Sequence, residues 1–153
     1  MEQRIIELEM GITQKAAYPD NLWSGGIGPC IAVGLWHKPS KSGYMIHDIT
    51  LEAGLPALLQ RAKEECGGLS GICAYAVGAS QYYIPDNADE EDELAFLSHN
   101  RRFVEQTLYG KLKKNKVKIQ WLAPFHVADL YLDMKKGFSV EIQRESDLRF
   151  SDH

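Results

Sequence analysis

The sequence predicts a layered α/β protein: mixed β-sheets stacked in the manner of a β-sandwich, with helices covering one side. Three observations lead there. Segments with strand character outnumber helical ones, and the two clear helices are separated by strands, which suits packed sheets with helices outside rather than a bundle. The densest glycine cluster, Trp23-Ser24-Gly25-Gly26-Ile27-Gly28-Pro29, runs into a strand and not a helix and lacks the GxGxxG order, so a doubly wound nucleotide fold fits less well. The 153 residues, 44% apolar and 25% charged, amount to one domain of globular composition, 1–153, able to bury a core without metal or disulfide support.

The elements follow in order. Ile5 to Met10 and Lys15 to Trp23 are short mixed segments, read as an opening pair of strands. The glycine cluster reads as a tight loop, because glycine allows backbone conformations closed to other residues. It feeds a buried strand from Cys30 to Trp36. His37 to Ser42 has turn chemistry around Pro39, and Gly43 to Ile49 reads as the returning strand of a hairpin. Pro56 suits a first helical turn; Ala57, Leu58, Leu59 and Ala62 share a face, and Gly67-Gly68 stops the helix. Ile72 to Val77 is apolar and short, a buried strand. Residues 86 to 93 hold six acids in eight positions, and helical spacing then runs through Phe103, Leu108 and Leu112 to Lys114. Acids at a helix start and Lys111, Lys113 and Lys114 at its end complement the helix dipole, so this pattern reads as a solvated face. Val117 to Trp121 alternates as a strand, as do Val127 to Leu132 and Phe138 to Ile142, the latter two joined by a turn at Lys135-Lys136-Gly137.

Charge narrows the partners. Seventeen basic and twenty-one acidic residues leave a net charge of −4, so no overall positive field holds a phosphate backbone, and nucleic acid is not expected as a partner. The first residues, Met1-Glu2-Gln3-Arg4-Ile5-Ile6-Glu7, put charge where a signal peptide needs an apolar run. The uncharged stretch from Cys66 to Pro85 is interrupted too often by glycine, serine and glutamine for a membrane span. A cytoplasmic protein without membrane insertion is expected. Three cysteines without CxxC spacing argue for reduced thiols rather than a disulfide framework or a four-thiolate zinc site.

Cys30 opens one strand of the hairpin and His47 lies near the end of the other, so the two side chains can meet across adjacent strands. A cysteine beside a histidine can lose its proton and attack a carbonyl carbon as the thiolate. Gly25, Gly26 and Gly28 would leave room for a substrate, and free N–H groups in their loop could hold an oxyanion. Pro29 has no N–H, which leaves the amide of Cys30 itself or donors elsewhere. Tyr82, with Tyr83, Ile84 and Pro85, could rim the groove. Taken singly, each feature has a bland reading: a lone cysteine opening an apolar strand is a small buried hydrophobe, and aromatics ending a strand are packing. Cys66 and Cys73 read as structural. Asp48 points to the other face of a regular strand and is not expected to orient His47. His153 is terminal.

The string Ser24-Gly25-Gly26-Ile27-Gly28-Pro29-Cys30-Ile31-Ala32-Val33-Gly34-Leu35, followed by Gly43-Tyr44-Met45-Ile46-His47, resembles the chemoreceptor glutamine deamidase family, CheD. Cys73 to Ala79 is similar to that family's central strand, Asn100-Arg101-Arg102-Phe103-Val104 to its second helix, and Gly137 to Ile142 to its last strand. The resemblance implies a layered α/β fold shared with cytotoxic-necrotizing-factor toxins, and a cysteine hydrolase that turns glutamine side chains into glutamate without metal or cofactor. It gives Cys30 the role of nucleophile and His47 that of acid and base. Ser24 stands where the family has a catalytic threonine and would orient His47. The implied partners are a protein substrate exposing a glutamine, a chemoreceptor among the candidates, and a receptor-adaptation phosphatase. The chain departs from the family at Pro29, where a serine is usual, at Val77-Gly78-Ala79, which keeps only one of two expected glycines, and at Ala123-Pro124-Phe125-His126, where Gly-Gly with a nearby arginine is expected. Two other readings compete: a zinc site of Cys30, His47 and one of His37, His99 or His126, and a non-catalytic module of the same fold that docks a signalling partner.

Overall fold

The computed structural model describes residues 2–82 and 90–144. Tyr83, Ile84 and Pro85 of the expected aromatic rim, the acidic residues Asp86 and Asp89, and His153 lie outside the described residues. The chain order is β1 (Ile5–Glu7), β2 (Thr13–Ala17), β3 (Asn21–Ile27), β4 (Ile31–His37), β5 (Ser42–Asp48), α1 (Gly54–Cys66), β6 (Ile72–Gly78), α2 (Glu90–Lys111), a single 3-10 turn (Lys114–Lys116), β7 (Val117–Trp121), β8 (His126–Asp133) and β9 (Gly137–Arg144). Two sheets form, in the orders β1-β3-β8-β9 and β2-β5-β4-β6-β7. The layered α/β architecture expected from the sequence is thus present, with mixed strands in both sheets.

The alternation of β4 shows why there are three layers. Ile31, Val33 and Leu35 turn one way and join Leu55, Leu58, Val104 and Leu108 in a core between the five-stranded sheet and the helices. Ala32 turns the other way, with Met45 and Val77, and meets Leu22, Leu130 and Leu132 of the four-stranded sheet. A central strand buried on both faces reads as a continuous apolar run, which is what Ile31 to Trp36 is. In α1 the buried residues Leu55, Leu58, Leu59 and Ala62 follow helical spacing. Each buried leucine contributes about 1.5–3 kcal/mol. Gly67 ends the helix at φ 73, and the N–H of Gly68 closes onto the carbonyl of Lys63 at 2.8 Å.

Two expectations need correction. The second opening segment is not one strand: it breaks at Tyr18-Pro19-Asp20, so that Asn21 to Trp23, the start of β3, pairs with β1 as parallel neighbours while β2 goes to the other sheet beside β5. The glycine cluster is not a loop through most of its length, because Asn21 to Ile27 is strand. The register against β8 shifts between Ser24↔Leu130 and Ile27↔Ala128, so β3 carries one extra residue there. Gly26, at φ 67, supplies the left-handed residue of that bulge. Leu22 and Ser24 face inward by alternation, and the extra residue lets Ile27 face inward as well.

Strand directions gather the chemistry at one rim of the five-stranded sheet. β4 begins there while β5, β6 and β7 end there, as the registers Ile31↔Asp48, Ile31↔Gly78 and Gly78↔Trp121 require. The 28–30 segment is tied to this rim by Ala79 N–H to the Cys30 carbonyl and Ser80 N–H to the Gly28 carbonyl, both 2.9 Å. At Gly78, φ is 138 and an added Cβ would collide with the Cys30 carbonyl oxygen. Replacing Gly78 with alanine is therefore expected to cost about 3 kcal/mol or more in urea unfolding. Gly110→Ala, where an added Cβ meets nothing within 4 Å, is expected to leave stability unchanged or raise it by about 0.5 kcal/mol. Equal effects at the two glycines would contradict the close approach.

Candidate active site

His47 lies on β5 with its side chain between the two sheets, directly opposite Ala32 of β4, and is 4% exposed. From the other sheet, Ser24 of β3 brings its Oγ to 2.8 Å from His47 Nδ1, a fully buried contact that ties sheet to sheet. The bulge at Gly25-Gly26 begins immediately after Ser24, so the serine belongs to the last regular turn of pleat before the strand bends. The ring's other nitrogen, Nε2, is buried and has no hydrogen-bond partner. A buried nitrogen left unpaired costs about 1–3 kcal/mol, which makes such an atom a marker of function.

Cys30 is half-buried and stands one residue ahead of β4. The hairpin closes with His37↔Ser42, so Ala32 rather than Cys30 faces His47, and Cys30 is the histidine's diagonal neighbour. The pairing of Cys30 with His47 expected from the sequence is off by two residues: the turn falls at Pro39 and Ser40 as expected, but across that turn Ala32 is the residue that opposes His47. Diagonal neighbours have Cα atoms about 7–8 Å apart, within reach of long side chains. Cys30 Sγ makes no hydrogen bond to Nε2.

Charge at the pair follows from burial. Desolvation pushes the Cys30 thiol above its ordinary value of 9.0, the nearby Asp48 carboxylate pushes it further, and the residue's own backbone amide opposes them. Desolvation pushes His47 below its ordinary 6.5, against a smaller upward pull from Asp48. The resting site is therefore a neutral thiol and a neutral imidazole, not a preformed ion pair. Asp48 turns its carboxylate to the backbone N–H of Ile49 at 2.7 Å, so Ser24, not Asp48, holds the imidazole.

The glycines divide. Gly25 is covered by the Trp23 ring and Gly28 by the Tyr82 hydroxyl, which an added Cβ would approach at 3.1 Å. Gly26 is open, with nothing within 4 Å of an added Cβ. Its N–H already donates to Asp129 Oδ1 at 3.1 Å, so the expectation of free loop amides fails at this position. Tyr82 donates its hydroxyl to the His126 carbonyl at 3.1 Å and packs its ring 5.8 Å from Phe125, forming a wall beside Gly28.

Several supporting residues are marked in the sequence only by the resemblance, or, like Ser80, not at all. Arg101 of α2 donates from Nη2 to the Ala79 carbonyl at 2.5 Å, and Ala79 in turn holds the Cys30 carbonyl. Asn100 donates to the carbonyl of Ile49, two residues past His47, at 3.2 Å. One helical turn thus braces both the cysteine segment and the exit of the histidine strand. Buried Ser80 bridges the Ala123 carbonyl at 2.8 Å and the His126 N–H at 3.1 Å. Ala79 is held at φ 56, a left-handed conformation that favours glycine.

The zinc reading lacks its third ligand. His37 is at the opposite rim against Ser40 at 2.6 Å, His99 faces Glu52 at 2.6 Å, and His126 Nδ1 meets the Pro124 carbonyl at 2.9 Å. Among the described residues no group of three or more histidine, cysteine or acidic side chains could hold a metal ion. No helix among them is long and apolar enough to cross a membrane. No known protein-family model matches the chain, and no curated protein matches it.

Two pH responses follow. Because the thiol is raised, iodoacetamide labelling of Cys30 is expected to keep climbing beyond pH 9.0; a plateau near neutrality would show a thiolate already formed. Because His47 is lowered, the unfolded chain takes up its proton before the folded chain does, so acidification favours unfolding. Between about pH 7 and pH 5.5 the wild type should lose stability more steeply than His47→Gln in chemical denaturation; parallel losses would contradict the assignment.

Proposed function

We propose that the chain is a cysteine-dependent amidohydrolase that deamidates glutamine side chains to glutamate in a protein substrate. The observation that carries this reading is the Ser24–His47 bond at 2.8 Å, which leaves His47 Nε2 buried and unengaged beside β4, the strand that Cys30 immediately precedes. The resemblance to the CheD family supports it, since the family's hydroxyl, thiol and imidazole fall on Ser24, Cys30 and His47. Gly78 and Ala79 both have positive φ, within the stretch where the family is expected to carry two glycines, which is consistent with the same backbone path.

The chemistry requires the tautomer in which Nδ1–H donates to Ser24 Oγ and Nε2 keeps its lone pair. As a carboxamide enters, Nε2 takes the proton of Cys30, and the sulfur attacks the amide carbon to give a tetrahedral oxyanion. The Cys30 amide is the nearest donor for that oxyanion on its own segment. The imidazolium protonates the departing nitrogen, ammonia leaves, and a thioester remains. His47 then takes a proton from water, hydroxide attacks the thioester, and the free acid and the thiol are restored. A neutral resting pair suits this order, because the proton moves only when substrate is present to use it.

A glutamine-bearing substrate protein, a chemoreceptor among the candidates, is the partner this reading names, and a receptor-adaptation phosphatase is a second one taken from the family. Incubated with the purified chain, a substrate should gain one dalton per glutamine converted and release one ammonia. Cys30→Ala should abolish this with the fold intact, and Ser24→Ala should slow it about 10–100-fold by freeing the imidazole. The absence of a hydrogen bond between Sγ and Nε2 favours one rival, a binding module of the same fold without turnover. Equal ammonia release by wild type and Cys30→Ala would reject the hydrolase and leave that rival.

A further inference from the structure

We infer that the rim opposite Cys30 is a docking surface for an acidic polypeptide segment that seats one apolar side chain in a lysine-ringed aromatic cavity. This stands apart from the hydrolase reading and uses none of its residues.

Topology concentrates positive charge here. The β4–β5 turn brings Lys38 and Lys41, the β8–β9 turn brings Lys135 and Lys136, and Lys63 lies in the last turn of α1. The end of α2 and the start of β7 add Lys111, Lys113, Lys114, Lys116 and Lys118. Helix-dipole complementarity accounts for one or two of these, not for ten drawn from separate elements. Among the described residues the ion pairs are made by Arg4, Lys15, Arg61 and His99, so none of the ten is paired. Of the acids nearby, Asp20 is paired with Arg4 at 2.7 Å, while Asp133, on the backbone N–H groups of Lys135 and Lys136, and Glu64, on Gln60 at 2.9 Å, keep their charge and offset two of the ten. The remaining excess of like charge at one rim of a chain whose net charge is −4 works against the compact state, and a matching partner relieves it.

Within this rim lies a cavity of about 430 Å³, walled by Trp36, Tyr75, Val117 and Phe138 with Lys114 and Lys116 at its lip. Its volume admits a large side chain, and its apolar walls reward burying one. The lysines choose the rest of the partner. Lys38 Nζ lies 5.9 Å over the Trp36 ring, and the Tyr18 ring lies under both Lys41 at 5.4 Å and Lys135 at 5.2 Å. Ring faces already capped by the protein's own ammonium groups are poor platforms for stacked bases, which disfavours single-stranded nucleic acid. A concave aromatic site also has no use on a flat bilayer. Acids at the far rim, Asp48, Glu52, Glu91 and Asp92, would turn an acidic segment towards this one.

The test is fluorescence anisotropy with an oligoglutamate peptide carrying one central tryptophan, its alanine counterpart, an oligothymidylate of equal charge, and phosphatidylserine vesicles. The tryptophan peptide should bind most tightly and weaken with salt. The pair Lys114→Glu, exposed, and Lys116→Glu, partly buried, should weaken it about tenfold or more, while Cys30→Ala leaves it unchanged. Unaltered thermal unfolding of the charge variant keeps the comparison sound, and Lys135→Glu with Lys136→Glu provides an independent loss of affinity. Tighter binding of the oligonucleotide or the vesicles, equal binding of the two peptides, or indifference to the lysine changes would overturn the proposal.

Discussion

Among the described residues, the hydrogen bond between Ser24 and His47 is the one side-chain to side-chain bond that joins the two sheets across their shared interior. Around it the inter-sheet core is apolar, with Leu22, Ile27, Ala32, Met45 and Val77, so neither partner can be hydrated and each must satisfy the other. One imidazole nitrogen is satisfied; the second is not. Folding thus fixes the ring's position and leaves a single nitrogen with unspent hydrogen-bonding capacity. The direction of both pKa shifts is a consequence of the same burial, which disfavours the charged forms of His47 and Cys30 together.

What holds the thiol near that nitrogen is backbone rather than side chain. The cysteine segment hangs from Ala79 and Ser80, the close pass of Gly78 allows it, and Arg101 and Asn100 reach down from α2 to steady the two strand ends. Scaffold residues on a packed helix and central strands locate a reactive group more tightly than a free loop can. The glycine-rich stretch does different work from that expected of it: Gly26 bends β3 after Ser24, and Gly25 and Gly28 let the Trp23 and Tyr82 rings close down.

The hairpin, the stop of α1 at Gly67 and the alternation of β7 to β9 are legible in the sequence because each rests on local chemistry: turn residues, a left-handed glycine, period-two burial. The bulge in β3 is not, since two adjacent glycines are equally compatible with a loop and with a strand that takes on one extra residue. The register error at Cys30 has another origin. The turn around Pro39 and Ser40 is legible and present, and counting back from it already puts Ala32 opposite His47, with Cys30 on the diagonal. Ser24 meets His47 across 23 positions and two sheets, a contact no periodicity reports; only the resemblance marked the serine. The lysine cluster between 111 and 118 reads as a solvated helix end until the topology adds lysines from two turns and α1 beside it.

The claim at the centre is a neutral imidazole whose proton is on Nδ1, shared with Ser24, while Nε2, on the strand diagonal to Cys30, carries a free lone pair. Ring-nitrogen NMR of the ¹⁵N-histidine-labelled chain near neutral pH reads this directly. The account predicts a protonated Nδ1 and a pyridine-type Nε2 for His47, with the Nδ1 signal perturbed in Ser24→Ala. An imidazolium with both nitrogens protonated, or a proton resident on Nε2, would contradict it.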